Sequence, residues 1–261
     1  MSTALITGAS SGIGTAFAER LAAEGHDLVL VARTKDRLDA IAARLRAAHG
    51  IAVDVIPQDL SLPGAAAAIT ERLTRPVDLL VNNAGFGTSG RFEDIDADAE
   101  HRMLMVNVVA LVDLTHALLP GMLERGHGGV INIASTAGFQ PSPYFASYAA
   151  TKTFVLNFSL ALWAEYEKRG VRVLAVCPGP TETAFFDGMS ASASSIGGKV
   201  GTPEEIATLA LGAYDRNSGY VVAKGSSNFA MAHLTPRRPR RFVTRVSRGM
   251  TAKMAGVNPS A

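Results

Sequence analysis

The stretch TALITGASSGIG, residues 3 to 14, runs from a short apolar segment through a glycine-rich turn into a helical pattern. TALIT has the length and apolar character of a buried strand, and the residues from Gly12 to about Glu24 carry helical periodicity. The glycines between them fall at Gly8, Gly12 and Gly14, a G-x-x-x-G-x-G spacing. Gly8 permits a tight turn off the strand. Gly12 lets backbone N–H groups approach a phosphate at the helix N-terminus, and Gly14 allows the helix to pack closely on the strand. Ser10 and Ser11 add hydroxyl donors, and Ile13 completes the loop. A turn of this kind between the first strand and first helix of a β-α-β unit is a dinucleotide cradle.

Outward from this turn the same alternation repeats. DLVLVA, AVDVIP, VDLLVN, GVINIA, VRVLAV and YVVA read as further strands. Helical patterns lie near residues 12–24, 35–48, 62–75, 98–125, 145–169 and 203–217. Gly25, Gly50 and Gly170 follow three of them, where helix C-terminal caps belong. Strands apolar on both faces and separated by helices imply a parallel sheet covered on both sides. The expected architecture is α/β: a three-layer, doubly wound sheet of about seven parallel strands. A closed barrel would need eight β-α units.

Bulk properties narrow the class. With 261 residues, 48% hydrophobic and 18% charged, the chain suits one globular domain with a sizeable core. Cys177 is the single cysteine, so no internal disulfide framework exists, and a reducing, cytoplasmic location is expected. The first apolar run is too short for a signal peptide, and no uninterrupted apolar stretch approaches the length needed to span a bilayer. Residues 236–261 hold seven Lys/Arg and no acid, leaving 18 bases against 23 acids, a formal −5, on residues 1–235. We therefore divide the chain into a catalytic domain, 1–235, with a loop at 184–200, and a basic C-terminal tail, 236–261.

The second strand ends at Ala32 and Arg33, where a site selective for NAD would need a carboxylate for the adenosine 2′-hydroxyl. An arginine instead suits a 2′-phosphate, through the planar fork of its guanidinium. NADP(H) is thus favoured over NAD(H). Farther along, SYAATKTF (147–154) places Tyr148 and Lys152 one helical turn apart on one face.

Together these motifs resemble the short-chain dehydrogenase/reductase family, in its single-domain Rossmann-fold branch of about 250 residues. The resemblance runs from Thr3 to about residue 225 through TGASSGIG, NNAG (82–85), Asn107, Ser135, Tyr148-x-x-x-Lys152 and PGPTET (178–183). It implies a catalytic tetrad of Asn107, Ser135, Tyr148 and Lys152, with Asn107 in a water-mediated proton relay to Lys152. It further implies that Asp59 and Leu60 meet the adenine and that Asn83, Ala84 and Gly85 line the adenosine side, with Asn82 bracing the strand. Pro178, Gly179, Thr181 and Thr183 would hold the nicotinamide carboxamide and nearby phosphate. A homodimer or homotetramer, formed through the helices at 98–125 and 145–169, is implied as well.

The chemistry explains the pairing of phenol and ammonium. Hydride transfer to a carbonyl leaves an alkoxide, which needs a proton as its charge develops. A tyrosine can deliver it, and a lysine one turn away is expected to stabilise the phenolate, lowering its pKa from about 10. Ser135 would hold the substrate oxygen near Tyr148, and Lys152 would also bond the nicotinamide ribose. Phe139, Tyr144, Phe145, Phe185, Phe186 and Met189 suggest an apolar substrate pocket under a lid. The reading is an NADP(H)-dependent oxidoreductase interconverting a carbonyl and an alcohol, acting as reductase of a hydrophobic ketone or aldehyde. The alternatives are an NAD-preferring hydroxy-compound dehydrogenase and a catalytically silent nucleotide-binding regulator. No metal and no nucleic acid are expected. The tail spaces Phe242, Val246, Met250 and Met254 by four beside Arg238, Arg241, Arg245 and Arg248. Three readings stay open for it: a solvated tail, docking on another subunit, or contact with an anionic membrane surface.

Overall fold

The computed structural model describes residues 2–182 and 200–258. Among these residues seven strands form one sheet: β1 Thr3–Thr7, β2 Asp27–Ala32, β3 Val53–Pro57, β4 Leu79–Asn82, β5 Gly128–Ile133, β6 Val171–Cys177 and β7 Tyr220–Val222. All pairings are parallel, in the order 3-2-1-4-5-6-7. The chain thus reverses its direction of winding between β1 and β4, and a crevice opens at their carboxyl ends. The expected doubly wound fold is the one observed.

Strand alternation divides the core into two layers. Ala4, Ile6, Leu28 and Leu30 face one side, toward helices α1 (Gly12–Ala23), α2 (Lys35–His49) and α7 (Pro203–Asp215). Leu5, Val29, Val31 and Leu80 face the other, toward α3 (Ala65–Thr70) and α5 (Ala110–Arg125). Helix α6 (Ala146–Tyr166) covers β5 and β6 and supplies Val155 and Leu156 to a third cluster with Ala175 and Cys177.

The helix expected at 98–125 runs Ala97–Arg125 and contains a π-helical turn, Met105–Val109, between α4 (Ala97–Leu104) and α5. A π turn leaves the regular ladder and is frequent at functional sites. The combined helix Ala97–Arg125 is also, by length and composition, apolar enough to cross a membrane. Here Leu114, Leu119 and Met122 are buried against the sheet. The basic segment folds too, as α9 (Arg240–Met254), after the short α8 (Ser226–Phe229).

Candidate active site

Each site segment leaves the carboxyl end of a strand, so the parallel sheet gathers them along one edge. Behind β1 the glycine loop is held from below by β4. The Thr7 hydroxyl accepts from the N–H groups of Asn83 and Ala84, both at 3.0 Å. Asn83 Nδ2 donates to the carbonyls of Thr7 at 2.8 Å and Gly8 at 3.2 Å. Asn83 therefore braces the loop through its side chain. The packing is close enough that a Cβ on Gly14 would lie 2.3 Å from the Gly8 carbonyl oxygen and 2.6 Å from Asn83 Nδ2. Ser11 precedes α1 without making a side-chain capping bond, so the first-turn N–H groups receive no cap from it. That arrangement fits a pyrophosphate.

Arg33 is exposed just past β2. Asp59 accepts from the Ser61 N–H at 2.9 Å and its hydroxyl at 2.7 Å. Burial would raise the Asp59 pKa, but those bonds and the charges of Arg33 and Arg102 hold it below the usual carboxylate value. Arg33 and Asp59 thus share one end of the crevice, with Leu60 buried behind them. At the other end the Pro178 carbonyl accepts from Thr136 N–H at 2.9 Å, and the Thr181 hydroxyl donates to the Gly179 carbonyl at 3.0 Å.

Between these ends lie Ser135, Tyr148 and Lys152. The hydroxyls of Ser135 and Tyr148 share a hydrogen bond. Lys152 is buried, 6% exposed; its ammonium donates to the Ile133 carbonyl at 2.8 Å and lies 5.8 Å from the Tyr148 ring centroid. A Cβ on Gly85 would stand 3.0 Å from Asn107 Oδ1 and 3.5 Å from Lys152 Nζ, which locates the NNAG turn directly beside both. Asn107, within the π turn, accepts from Phe86 N–H at 3.1 Å and donates to the Phe86 carbonyl at 2.9 Å and Thr151 Oγ1 at 3.2 Å. Thr151 in turn donates to the Tyr148 carbonyl at 2.7 Å. The asparagine side chain therefore ties the loop after β4 to the helical turn that carries the phenol and the ammonium.

The electrostatics depart from the expected lowering of the phenol. Burial pushes the Tyr148 pKa up to about 12, against the opposing effect of the Ser135 bond. Burial also pulls Lys152 down to about 8, partly offset by the nearby Cys177. Desolvation is the leading cause at both groups. The Tyr148 hydroxyl is accordingly a protonated donor at neutral pH.

Among the residues expected to meet substrate, Phe139 packs into the cluster containing Val155 and stands 6.5 Å from the Tyr220 ring. Phe145 is buried at the start of α6. Tyr144 is half-buried, at φ 64°, with its carbonyl accepting from Gly90 N–H at 2.9 Å. Positive φ is uncommon for a bulky side chain and marks a constrained turn. Thr183, Phe185, Phe186 and Met189 lie outside the described residues. A cavity of about 690 Å³ opens nearby, between the loop Phe86–Arg91 and residues 255–258.

Asn82 braces its strand as the resemblance implies, through partners the sequence reading did not name. Asn82 Nδ2 donates to Asn132 Oδ1 at 2.9 Å and Thr115 Oγ1 at 3.1 Å, and Asn132 Nδ2 donates to Ser159 Oγ at 2.9 Å. These buried polar groups satisfy one another across β4, β5, α5 and α6. Asn228, 5% exposed, fills the space over Gly179. Thr151 and Asn228 carry no local signature; only the fold brings them to the site.

A glycine-cradled crevice at the strand reversal, beside a serine, a tyrosine and a lysine, defines a dinucleotide-dependent oxidoreductase acting on CH–OH and C=O groups. The chain belongs to the short-chain dehydrogenase family, whose model, described as "short chain dehydrogenase", matches residues 2–193. It is 42% identical over 185 residues to a sulfoacetaldehyde reductase of Chromohalobacter salexigens, covering 69% of this chain and 72% of that one. It is 37% identical over 184 residues to a very-long-chain 3-oxoacyl-CoA reductase of Anas platyrhynchos, covering 67% of this chain but 58% of that protein's length. A short-chain dehydrogenase from Sphingobium yanoikuyae in complex with NADPH superposes with TM-score 0.78 at 42% identity, covering 83% of this chain and 85% of that one. Solved relatives carry NADPH or NADH.

Proposed function

We propose that the protein is an NADP(H)-dependent carbonyl reductase of a hydrophobic ketone or aldehyde, with Tyr148 as the proton donor. The observation that carries this reading is the Ser135–Tyr148 hydroxyl pair beside a buried Lys152, at the edge of the glycine-loop crevice. The nicotinamide dinucleotide, when bound, supplies or takes the hydride. Gly8, Ser10, Ser11, Gly12, Ile13 and Gly14 would seat its pyrophosphate, Arg33 and Asp59 would meet the adenosine end, and Pro178, Gly179 and Thr181 the nicotinamide end. Ser135 donates to the substrate oxygen and holds it at Tyr148, whose phenol gives up its proton as the alkoxide forms. The Lys152 ammonium favours the phenolate left behind, and Asn107 positions both through Thr151 and Phe86. A hydrophobic substrate accords with the apolar residues around the crevice and with the long acyl chain named for one relative. A homo-oligomer is supported by the exposed Leu104 and Val109 and by Phe154, stacked on Phe158 at 5.6 Å. A reducing compartment such as the cytoplasm accords with the single, buried Cys177.

Selectivity for the 2′-phosphate rests on Arg33. Arg33→Ala should weaken NADPH binding about 10- to 100-fold, the equivalent of one charge-assisted pair, while leaving NADH binding nearly unchanged. Fluorescence titration of both cofactors measures this, and equal changes for the two would remove Arg33 from discrimination.

The pH dependence follows from Lys152. Its pKa in the fold is lowered to about 8, so its charge is present below that value and lost above it, while Tyr148, at about 12, stays protonated throughout. Carbonyl reduction should be level on the acid side and fall about tenfold per pH unit once the ammonium is lost. A rate that stays level for about two units beyond that point would discard the ammonium's part.

A further inference from the structure

Gly179 lies in the turn after β6, and its backbone does not explain why it is a glycine. Its φ falls outside the left-handed region that favours glycine, so the conformation itself would admit a side chain. What excludes one is Asn228. A Cβ on Gly179 would stand 2.5 Å from Asn228 Oδ1, 2.7 Å from Nδ2 and 2.9 Å from Cγ. Oxygen and nitrogen are both nearer than Cγ, so the tip of the asparagine side chain is set against the Gly179 Cα. Asn228 is 5% exposed, and its Nδ2 donates to the Lys224 carbonyl at 3.2 Å, which fixes the direction of the amide.

The sheet brings these two residues together. Cys177 stands opposite Val222 at the ends of β6 and β7, and the Ala223 N–H donates to the Cys177 carbonyl at 3.0 Å. The chain then turns at Gly225, φ 137°, into α8, which carries Asn228 to the turn after β6. That turn is held elsewhere along its length. The Pro178 carbonyl accepts from Thr136 N–H, and the Pro180 carbonyl accepts from Gly201 N–H, both at 2.9 Å. Between those bonds the outer side of Gly179 is covered by Asn228. Thr136 adjoins Ser135, so a shift of the turn would also reach the serine that pairs with Tyr148. A leucine at 228 would fill similar space but lack the bond to Lys224 that keeps the tip in one place.

We propose that Asn228 is a positioning residue for the nicotinamide end of the cofactor, acting through the turn Pro178–Thr181 that it holds in place. This rests on the reading of that turn as the nicotinamide seat. Its consequence is directional. β4 and β5 separate β6 from β1, and Arg33 lies past β2 on the far side of β1. Loss of the Asn228 side chain therefore falls on the nicotinamide half of the dinucleotide and spares the adenosine half.

Calorimetric titration with NADPH and with 2′-phospho-ADP-ribose, which lacks the nicotinamide, reads the two halves apart. NADH against ADP-ribose makes the same comparison without the 2′-phosphate. Asn228→Ala should weaken NADPH binding about tenfold, the effect of one lost positioning bond, and leave 2′-phospho-ADP-ribose nearly unchanged. Gly179→Ala should weaken NADPH binding by about tenfold or more, because its methyl group meets the amide. Gly179→Ala/Asn228→Ala removes that amide and should bind NADPH more tightly than Gly179→Ala alone. Circular-dichroism melts certify folding, and Asn228→Ser, with a smaller loss in the same direction, replaces an alanine variant that does not fold. Three results would overturn the proposal. NADPH affinity could be unchanged in Asn228→Ala, which removes the residue from cofactor positioning. Both ligands could weaken equally, which makes it a general support of the fold. The double variant could bind no better than Gly179→Ala, which places the collision elsewhere. Wild type that binds 2′-phospho-ADP-ribose as tightly as NADPH is a separate failure: the turn would not seat the nicotinamide, and the reading beneath the proposal would fall with it.

Discussion

Tyr148→Phe should lower the turnover number for carbonyl reduction by about 10²- to 10⁴-fold, the usual contribution of a positioned proton donor. The expectation comes from the phenol's state in the fold. Burial holds its pKa near about 12, so it meets the substrate fully protonated, and the Ser135 hydroxyl fixes its orientation. Phenylalanine keeps the ring and its packing and deletes only the donor. NADPH affinity should therefore change little, and the loss should appear in turnover rather than in binding. Single-turnover reduction of a graded ketone and aldehyde panel, with cofactor titration alongside, separates the two. Turnover like that of wild type would transfer the proton-donor role away from Tyr148. Loss of NADPH binding would make it a structural residue.

Gly14→Ala should destabilise the fold by about 3 kcal/mol and abolish dinucleotide binding. The added Cβ would stand 2.3 Å from a carbonyl oxygen of the glycine loop and 2.6 Å from the Asn83 amide that braces it. A Cβ has no rotamer by which to escape, so either α1 or the loop must shift, and both form the pyrophosphate cradle. Gly249→Ala provides the contrast: in α9 an added Cβ meets nothing within 4 Å. It should stabilise by roughly 0.5–1 kcal/mol through helix propensity. Denaturant melts of the two variants should move in opposite directions. A Gly14→Ala protein that melts with wild type would refute the close-packing argument.

The strands were legible because a parallel sheet buries both faces and so writes itself as short, unbroken apolar runs. β1 and β2 coincide with TALIT and DLVLVA, and the remaining strands differ by a residue or two at their ends. The cradle was equally legible, since its glycines answer to local geometry. What escaped notice depends on distant partners. The π turn around Asn107 has no mark in MLMVNVVALV, and the bonds of that asparagine to Phe86 and Thr151 exist only in the fold. For α9 the spacing of the apolar and basic residues was visible, but neither its helicity nor its packed face: periodicity identifies a stripe without saying whether the protein or its surroundings cover it. The phenol's raised pKa was missed for a related reason. A sequence shows that an ammonium stands one turn away, but not that the fold takes the phenol out of water.

The strand order also bears on how the chain acquires its structure. β1 is the first strand synthesised, yet one of its two neighbours is β4, and the bond from Thr3 N–H to Asp78 spans 75 positions. At ribosomal rates of about 5–20 residues per second, β1 waits roughly 4–15 s for that neighbour to be made. Until then its inner edge has no native partner, although α1, α2 and α3 are already made. The nascent chain is thus most vulnerable to aggregation before the fourth strand appears, and ribosome-associated chaperones should engage it most strongly in that interval.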